Sequence, residues 1–417
     1  MPLTKPQFDS FSVSPTIHMS QLSQSMIEKG RKIYKCGFGQ SPFPVPAGVV
    51  AALRQHAGEK AYLPVAGLLK LREFVAAYES KKNHSSYSAD NILIGPGSKE
   101  LIFTMMMVLD ADVMVPSPSW VSYAPQAKMT GNSFSWLATG SDTDWLLTPG
   151  LLEKQCLQSP SDKTKVLVLN NPHNPTGRCY SAEQLKQLAA VARLHEMVII
   201  SDEIYAELSF VKSPSIAEFY SEGTIVTGGM SKWCGAGGWR LGTAVIPEQL
   251  NKVRTAALAV ASETYSAVAA PIQYAAAKAY QMDREIIDYI GSCRDILSSL
   301  GKHLSGILWE IGLEVTQPEG GFYLFVDFTS KTFELASRGI HTGQDLSEQL
   351  LLSAGIATVP ASAFGCAAEK LVLRVAYVNF DGEKALAAKD GPVDIGFLEH
   401  YCDQALDMVQ ALAAWLE

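Results

Sequence analysis

The sequence predicts an α/β protein in which a large domain, built around a mostly parallel sheet flanked by helices, carries a smaller α+β domain. Two observations predict it. From about Pro46 onward, apolar runs of strand length alternate with stretches of helical periodicity, the pattern of a sheet covered by helices. After about residue 285 the alternation stops, and a long helical stretch is followed by separate strand candidates. The expected division is residues 47–285 for the large domain and residues 1–46 with 286–417 for the small one. A chain of 417 residues has room for two or three domains.

In chain order, residues 47–58 and 67–81 read as helices. Residues 98–109 form a third, opened by the turn Gly95-Pro96-Gly97. A short strand at Asp112–Val115 ends in a turn at Pro116-Ser117-Pro118. Lys165–Leu169 is a continuous apolar run, as expected of a parallel strand covered on both faces. It leads into the turn-rich Asn170–Gly177. The next helix has Ser181 as N-cap with Gln184 three residues on, the spacing of a capping box. Met197–Ser201 and Thr224–Thr227 are the following strands. The second region holds a helix to about Leu308, strands near Leu313–Thr316, Gly321–Asp327 and Leu371–Val375, and a terminal helix from about Ile395. The first 46 residues are expected to pack against it.

Composition narrows the function. With 7 Trp, 15 Tyr and 16 Phe the chain is too aromatic for a disordered one. The net charge is −8 and no basic block is present, which argues against a nucleic-acid partner. Seven scattered Cys, without a C-x-x-C pair, read as free thiols in a reducing compartment and give neither a disulfide frame nor a metal site. No apolar run approaches the roughly 18 residues of a membrane span, and the N-terminus lacks the apolar core of a signal peptide. The expectation is a soluble, cytoplasmic protein.

In an open α/β sheet, ligands bind at the carboxyl ends of the strands. After Lys165–Leu169 comes Asn170-Asn171-Pro172-His173-Asn174-Pro175-Thr176-Gly177. After Met197–Ser201 comes Asp202-Glu203-Ile204-Tyr205. After the Thr224 strand come Ser231-Lys232 and then Arg240. Three successive strand ends therefore offer Asn, Asp with Tyr, and Lys with Arg. Taken singly, each has a plainer reading. Asp202 suits a helix N-cap, Tyr205 a packed aromatic, Asn174 a turn, and Lys232 a solvated surface lysine.

Together they resemble a family. Gly229 to Gly242 fits the lysine-attachment pattern of the class I aminotransferases. Asn171 to Gly177, Asp202-x-x-Tyr205, Ser231-Lys232 and Arg240 are similar to that family in order and spacing. Gly320 to Phe325 and Arg374 resemble its small-domain motifs. The similarity runs from about residue 14 to the C-terminus, and among class I/II aminotransferases it resembles the bacterial-type aspartate enzymes. The resemblance implies fold type I and pyridoxal 5'-phosphate as cofactor, with Lys232 carrying it as a Schiff base and later moving the α-proton.

It also implies that Asp202 pairs with the pyridine nitrogen, that Asn174 and Tyr205 bond the 3-hydroxyl, and that Trp120 stacks on the ring. For the phosphate it implies Ser98 and Lys99 at a helix start, with Ser231 and Arg240. Members often carry a further hydroxyl or amide three residues before the lysine, where this chain has Gly229. Tyr62 matches a tyrosine that reaches the phosphate of a neighbouring subunit, which implies a homodimer. Arg374 would clamp the substrate carboxylate, helped by Gly39, Asn174 and Trp120. Trp120 alone reads equally as a core residue, Tyr62 as a turn tyrosine and Gly39 as a turn glycine. His173 reads as a turn residue, and Cys234 as packing.

For the substrate, Lys99 matches a lysine that in one aspartate-specific branch helps to bind the distal carboxylate. Ser14-Pro15-Thr16 resembles the segment that closes over the substrate there. This implies an acidic amino acid, with 2-oxoglutarate as acceptor. Lys99 also reads as a plain surface charge. Aromatic, kynurenine-type and alanine-type aminotransferases stay open, as do lyases of the same fold.

Overall fold

The computed structural model describes Leu3, residues 14–158 and residues 162–417. The expected packing of residues 1–13, Leu3 apart, falls outside the described residues. The first strand is β1 (Tyr34–Lys35). Next come β2 (Ile92–Gly95), β3 (Ala111–Ser117), β4 (Ser133–Ala138), β5 (Thr164–Asn170), β6 (Val198–Asp202), β7 (Thr224–Gly229) and β8 (Gly242–Val245). These seven form one sheet in the order β2-β8-β7-β6-β5-β3-β4. Pairing is parallel from β4 through to β7. β8 runs antiparallel to both of its neighbours, β7 and β2. Parallel neighbours need a long crossover. The link from β7 to β8 holds only Met230–Leu241 and contains no α-helix, so it brings the chain straight back.

The sheet is buried on both faces. Along β5, Val166 and Val168 join an apolar cluster with Leu101 and Met105 of the helix Ser98–Val108. Leu167 and Leu169 join another, with Leu185 and Leu188 of the helix Ala182–Leu194. The Ser181–Gln184 capping box is formed, with the Gln184 backbone N–H donating to the Ser181 hydroxyl at 3.3 Å and the Ser181 backbone N–H to the Gln184 side-chain Oε1 at 2.9 Å. One expected boundary is corrected. β3 runs through Pro116 and Ser117, which pair with Leu137 and Ala138 of β4. β5 pairs with β3 only as far as Met114, so the proline sits where one of the two ladders has already ended.

The strands β9 (Glu314–Val315), β10 (Tyr323–Asp327), β11 (Ile356–Ala357), β12 (Val359–Pro360) and β13 (Val372–Ala376) follow the long helix Arg284–Glu310. A four-stranded antiparallel sheet has the order β12-β13-β10-β9. β1 pairs in parallel with β11, and Met19 and Met26 of the helix Pro15–Glu28 pack on Leu351 and Ala357. The segment from Pro15 to Lys35 is therefore held by the C-terminal elements. The terminal helix breaks at Cys402 into Ile395–Tyr401 and Asp403–Leu416. Among the described residues, no helix is long and apolar enough to cross a membrane. The seven Cys are unpaired, and all but Cys366 are buried.

Candidate functional site

The carboxyl ends of β5, β6 and β7 open on one cleft of about 340 Å³. Asn170 and Asn174 come from the first end, Asp202 and Tyr205 from the second, and Ser231 and Lys232 from the third. The helix start at Ser98 and the loop residue Arg240 close one end. Arg374 and Tyr323, from the inner strands of the four-stranded sheet, close the other, together with Gly39 and Thr16. Every site residue expected from the sequence lines this cleft except Tyr62, which is 94% exposed and lies outside it.

Lys232 is half-buried, and its Nζ donates to the Gly39 carbonyl at 2.6 Å. It lies 5.6 Å from the centre of the Tyr205 ring. Burial, and next the positive charge of Arg374, lower its pKa to about 8, against the opposing pull of Asp202. The amine therefore sheds its proton more readily than an ordinary lysine. The sign for stability follows. Below about pH 8 the folded and unfolded chains both carry the proton, and the folded state bears the full cost of the buried charge. Between about 8 and the ordinary lysine value of 10.5 the folded chain has released it and the unfolded chain has not, so stability rises with pH. In the cofactor-free protein, Lys232→Met removes this dependence. Urea midpoints are expected to favour the variant most at neutral pH, with the gap narrowing towards pH 10. A gap that stays constant with pH overturns the assignment.

Asp202 is 3% exposed, and among the described residues it has no ion pair with Lys, Arg or His within 4 Å. Tyr123 donates to its Oδ2 at 2.6 Å, and the Ile204 amide to Oδ1 at 3.3 Å. Burial still raises its pKa to about 6. A cationic ligand atom facing Asp202 would relieve that cost. Trp120 lines the cleft and meets the Tyr123 ring edge-on at 5.2 Å, so the aromatic that bonds the carboxylate also braces the tryptophan.

At the other end, the helix Ser98–Val108 starts after Gly97, which has φ 93° and offers no side-chain cap. Its first amides have no preceding turn to bond, which suits an anion. Arg240 donates to the carbonyls of Gly237 and Pro96 at 2.9 and 3.1 Å and so borders the same turn. A Cβ at Gly229 would stand 2.6 Å from the Leu241 carbonyl oxygen, and φ is 149° there. The hydroxyl or amide that the resemblance implies for this place has no room here.

Arg374 is 1% exposed. It donates to the Gly37 carbonyl at 2.7 Å and to Asn174 Oδ1 at 3.3 Å, while its Nε has no partner. Among the described residues no carboxylate pairs with it. A buried guanidinium without an anion is costly and is ready for a ligand carboxylate. Tyr205 bonds Tyr323 through their hydroxyls at 2.7 Å, both side chains being buried. His173 is buried against Thr176 at 2.8 Å, and burial lowers its pKa to about 4, so it stays neutral.

Three cleft features are absent from the sequence reading. Tyr323 stands inside the Gly320–Phe325 motif, but its contact with Tyr205 spans 118 positions. The Tyr123–Asp202 bond spans 79. Asn170 holds the Asn174 amide through its Oδ1 at 2.7 Å and donates to the Asp202 carbonyl at 2.8 Å; its place at the last position of β5 was the available signal. A larger hollow of about 700 Å³ opens behind Asn171 and Glu203. Its half-buried lysine, Lys82, is already paired with Glu79 and Glu203 at 3.0 Å each, so the smaller cleft is the better candidate.

Residues 32–386 match the family described as aminotransferase class I and II. An aspartate aminotransferase of Geobacillus stearothermophilus is 30% identical over 85% of this chain and 90% of its own length. A probable aspartate/prephenate aminotransferase of Aquifex aeolicus is 31% identical over 84% of this chain and 89% of its own. The solved aspartate aminotransferase of Thermus thermophilus with maleate superposes with a TM-score of 0.85 at 24% identity, covering 99% of this chain and all of the other.

Proposed function

From the premise that this chain belongs to the class I and II aminotransferase family and is a pyridoxal-phosphate-dependent transaminase, we propose that its amino donor is an acidic amino acid, aspartate or glutamate, and its acceptor a 2-oxo acid such as 2-oxoglutarate. One observation carries the choice. Arg374 and Lys99 line the same cleft, and neither has an anionic partner among the described residues. Lys99 Nζ instead lies 5.1 Å over the Trp120 ring. A substrate with two carboxylates satisfies both cations. The relatives named for aspartate support the same choice.

The site fits the cofactor on its own chemistry. Asp202 lacks a cation, the Ser98 helix start with Ser231 and Arg240 suits a phosphate, and Lys232 offers a readily freed amine. When bound, pyridoxal 5'-phosphate supplies an aldehyde for an amine and a ring that takes up the electron pair left by a departing α-proton. Lys232 would anchor it, and its amine, once free, would hold and move the substrate α-proton. Asp202 would face the ring nitrogen and hold a proton there. Asn174 and Tyr205 would donate to its phenolic oxygen, and Trp120 would pack on the ring. Arg374, with Asn174 and the backbone at Gly39, fixes the α-carboxylate so that the α C–H bond faces Lys232.

Lys99→Met tests the substrate. The KM for aspartate is expected to rise about 10- to 100-fold, the worth of one charge-assisted contact, with phenylalanine changing little. Equal effects on both amino acids would remove the acidic substrate and leave the transaminase. The exposure of Tyr62 supports a homodimer in which it serves the other copy; a monomer in sedimentation would remove that reading. The unpaired thiols support a reducing, cytoplasmic setting.

A further inference from the structure

Tyr323 lines the cleft but takes no part in the chemistry above. Its surroundings are tightly built. The side chain is 2% exposed, and its hydroxyl meets that of Tyr205 at 2.7 Å. The Arg374 guanidinium lies 4.7 Å over its ring and 5.1 Å over that of Phe364. A Cβ at Gly39 would fall 1.8 Å from the Tyr323 hydroxyl and 2.7 Å from Cζ. Gly39 is not among the glycines with positive φ, so what requires glycine here is this close approach and not a turn.

A tyrosine hydroxyl carries one proton. If Tyr205 spends its proton on the phenolic oxygen of the cofactor, the short bond to Tyr323 must be donated by Tyr323. The chain then runs from the Tyr323 O–H to the Tyr205 oxygen, and from the Tyr205 O–H to the cofactor. Bonds aligned in this way strengthen one another. We propose that Tyr323 is a positioning residue: its hydroxyl fixes the direction of the Tyr205 hydrogen bond, while its ring supports the Arg374 guanidinium. One aromatic side chain thus couples the cofactor end of the cleft to the carboxylate end. The inference rests on the role given to Tyr205 above. The charged groups facing the tyrosine pair are Arg374 on β13, Asp202 at the end of β6, and Lys232 after β7.

The test is a pH titration of the visible cofactor band in the holoenzyme, with steady-state kinetics alongside. Donation to the phenolic oxygen stabilises its anionic form, so weaker donation moves the midpoint up. Tyr323→Phe is expected to raise the midpoint by about half a pH unit or more, through loss of chain polarisation. It keeps the ring, so the KM for the amino acid should stay within about twofold. Tyr323→Leu loses the ring as well and should raise KM. Tyr205→Phe should shift the midpoint further, and adding Tyr323→Phe to it should shift it no more. If Tyr205→Phe shifts the midpoint and Tyr323→Phe does not, the inference is overturned while the transaminase reading stands. A lower melting temperature with an unmoved midpoint also overturns it. If Tyr205→Phe leaves the midpoint unchanged, the role of Tyr205 fails, and the inference falls with it.

Discussion

Lys232→Ala is expected to abolish turnover, with kcat falling by at least about 10⁴-fold, because the proposed anchor, base and acid are lost together. The purified variant should bind the cofactor only non-covalently, so sodium borohydride followed by mass spectrometry should find no fixed adduct. The fold should survive. The amine is held by one bond, to the Gly39 carbonyl, and its charge is disfavoured where it sits. Removing it takes away a cost, and the melting temperature of the cofactor-free protein should stay level or rise. Residual turnover within tenfold of wild type would place the chemistry elsewhere.

Arg374→Ala is expected to lower kcat/KM for every amino acid tested by about 10²- to 10⁴-fold, the worth of a buried, hydrogen-bonded charge pair. The loss falls on a feature that all α-amino acids share, so the ranking of substrates should hardly change. Lys99→Met should do the reverse. Arg374→Lys is not a mild change. The guanidinium bonds the Gly37 carbonyl and the Asn174 side chain with two of its nitrogens and lies over two aromatic rings, a planar arrangement that an ammonium cannot copy. Unchanged affinity for amino acids, read from the spectral shift on titration, would refute the clamp.

Strands β5 and β6 are visible in the sequence to within about a residue, because a parallel strand covered on both faces is an unbroken apolar run. β2, β4 and β8 escape for different reasons. β2 and β8 have four residues each, too few for a period to show. β4 lies at the sheet edge and is only partly buried, so its apolar pattern is weak. The helices Asn251–Glu263 and Ala270–Ala279 escape because alanine fills both faces. Ala275, Ala276, Ala277 and Ala279 are all buried, and small side chains give little contrast between inside and outside. The cleft residues were readable because each stands at a strand end or in a short run of fixed spacing. What joins them was not. The Tyr123–Asp202 and Tyr205–Tyr323 bonds are made by folding alone, between segments that share no local pattern.

Arg374 stands in β13, an inner strand of the four-stranded sheet, with neighbours bonded on both sides. Lys99 stands at the second position of a helix, beside a turn. Under the roles proposed above, the carboxylate common to all amino acids is held from a strand braced on both sides, and the part that differs among them meets the start of a helix. Under those roles, substitutions near Lys99 change which amino acid fits and leave the Arg374 strand and its neighbours in place.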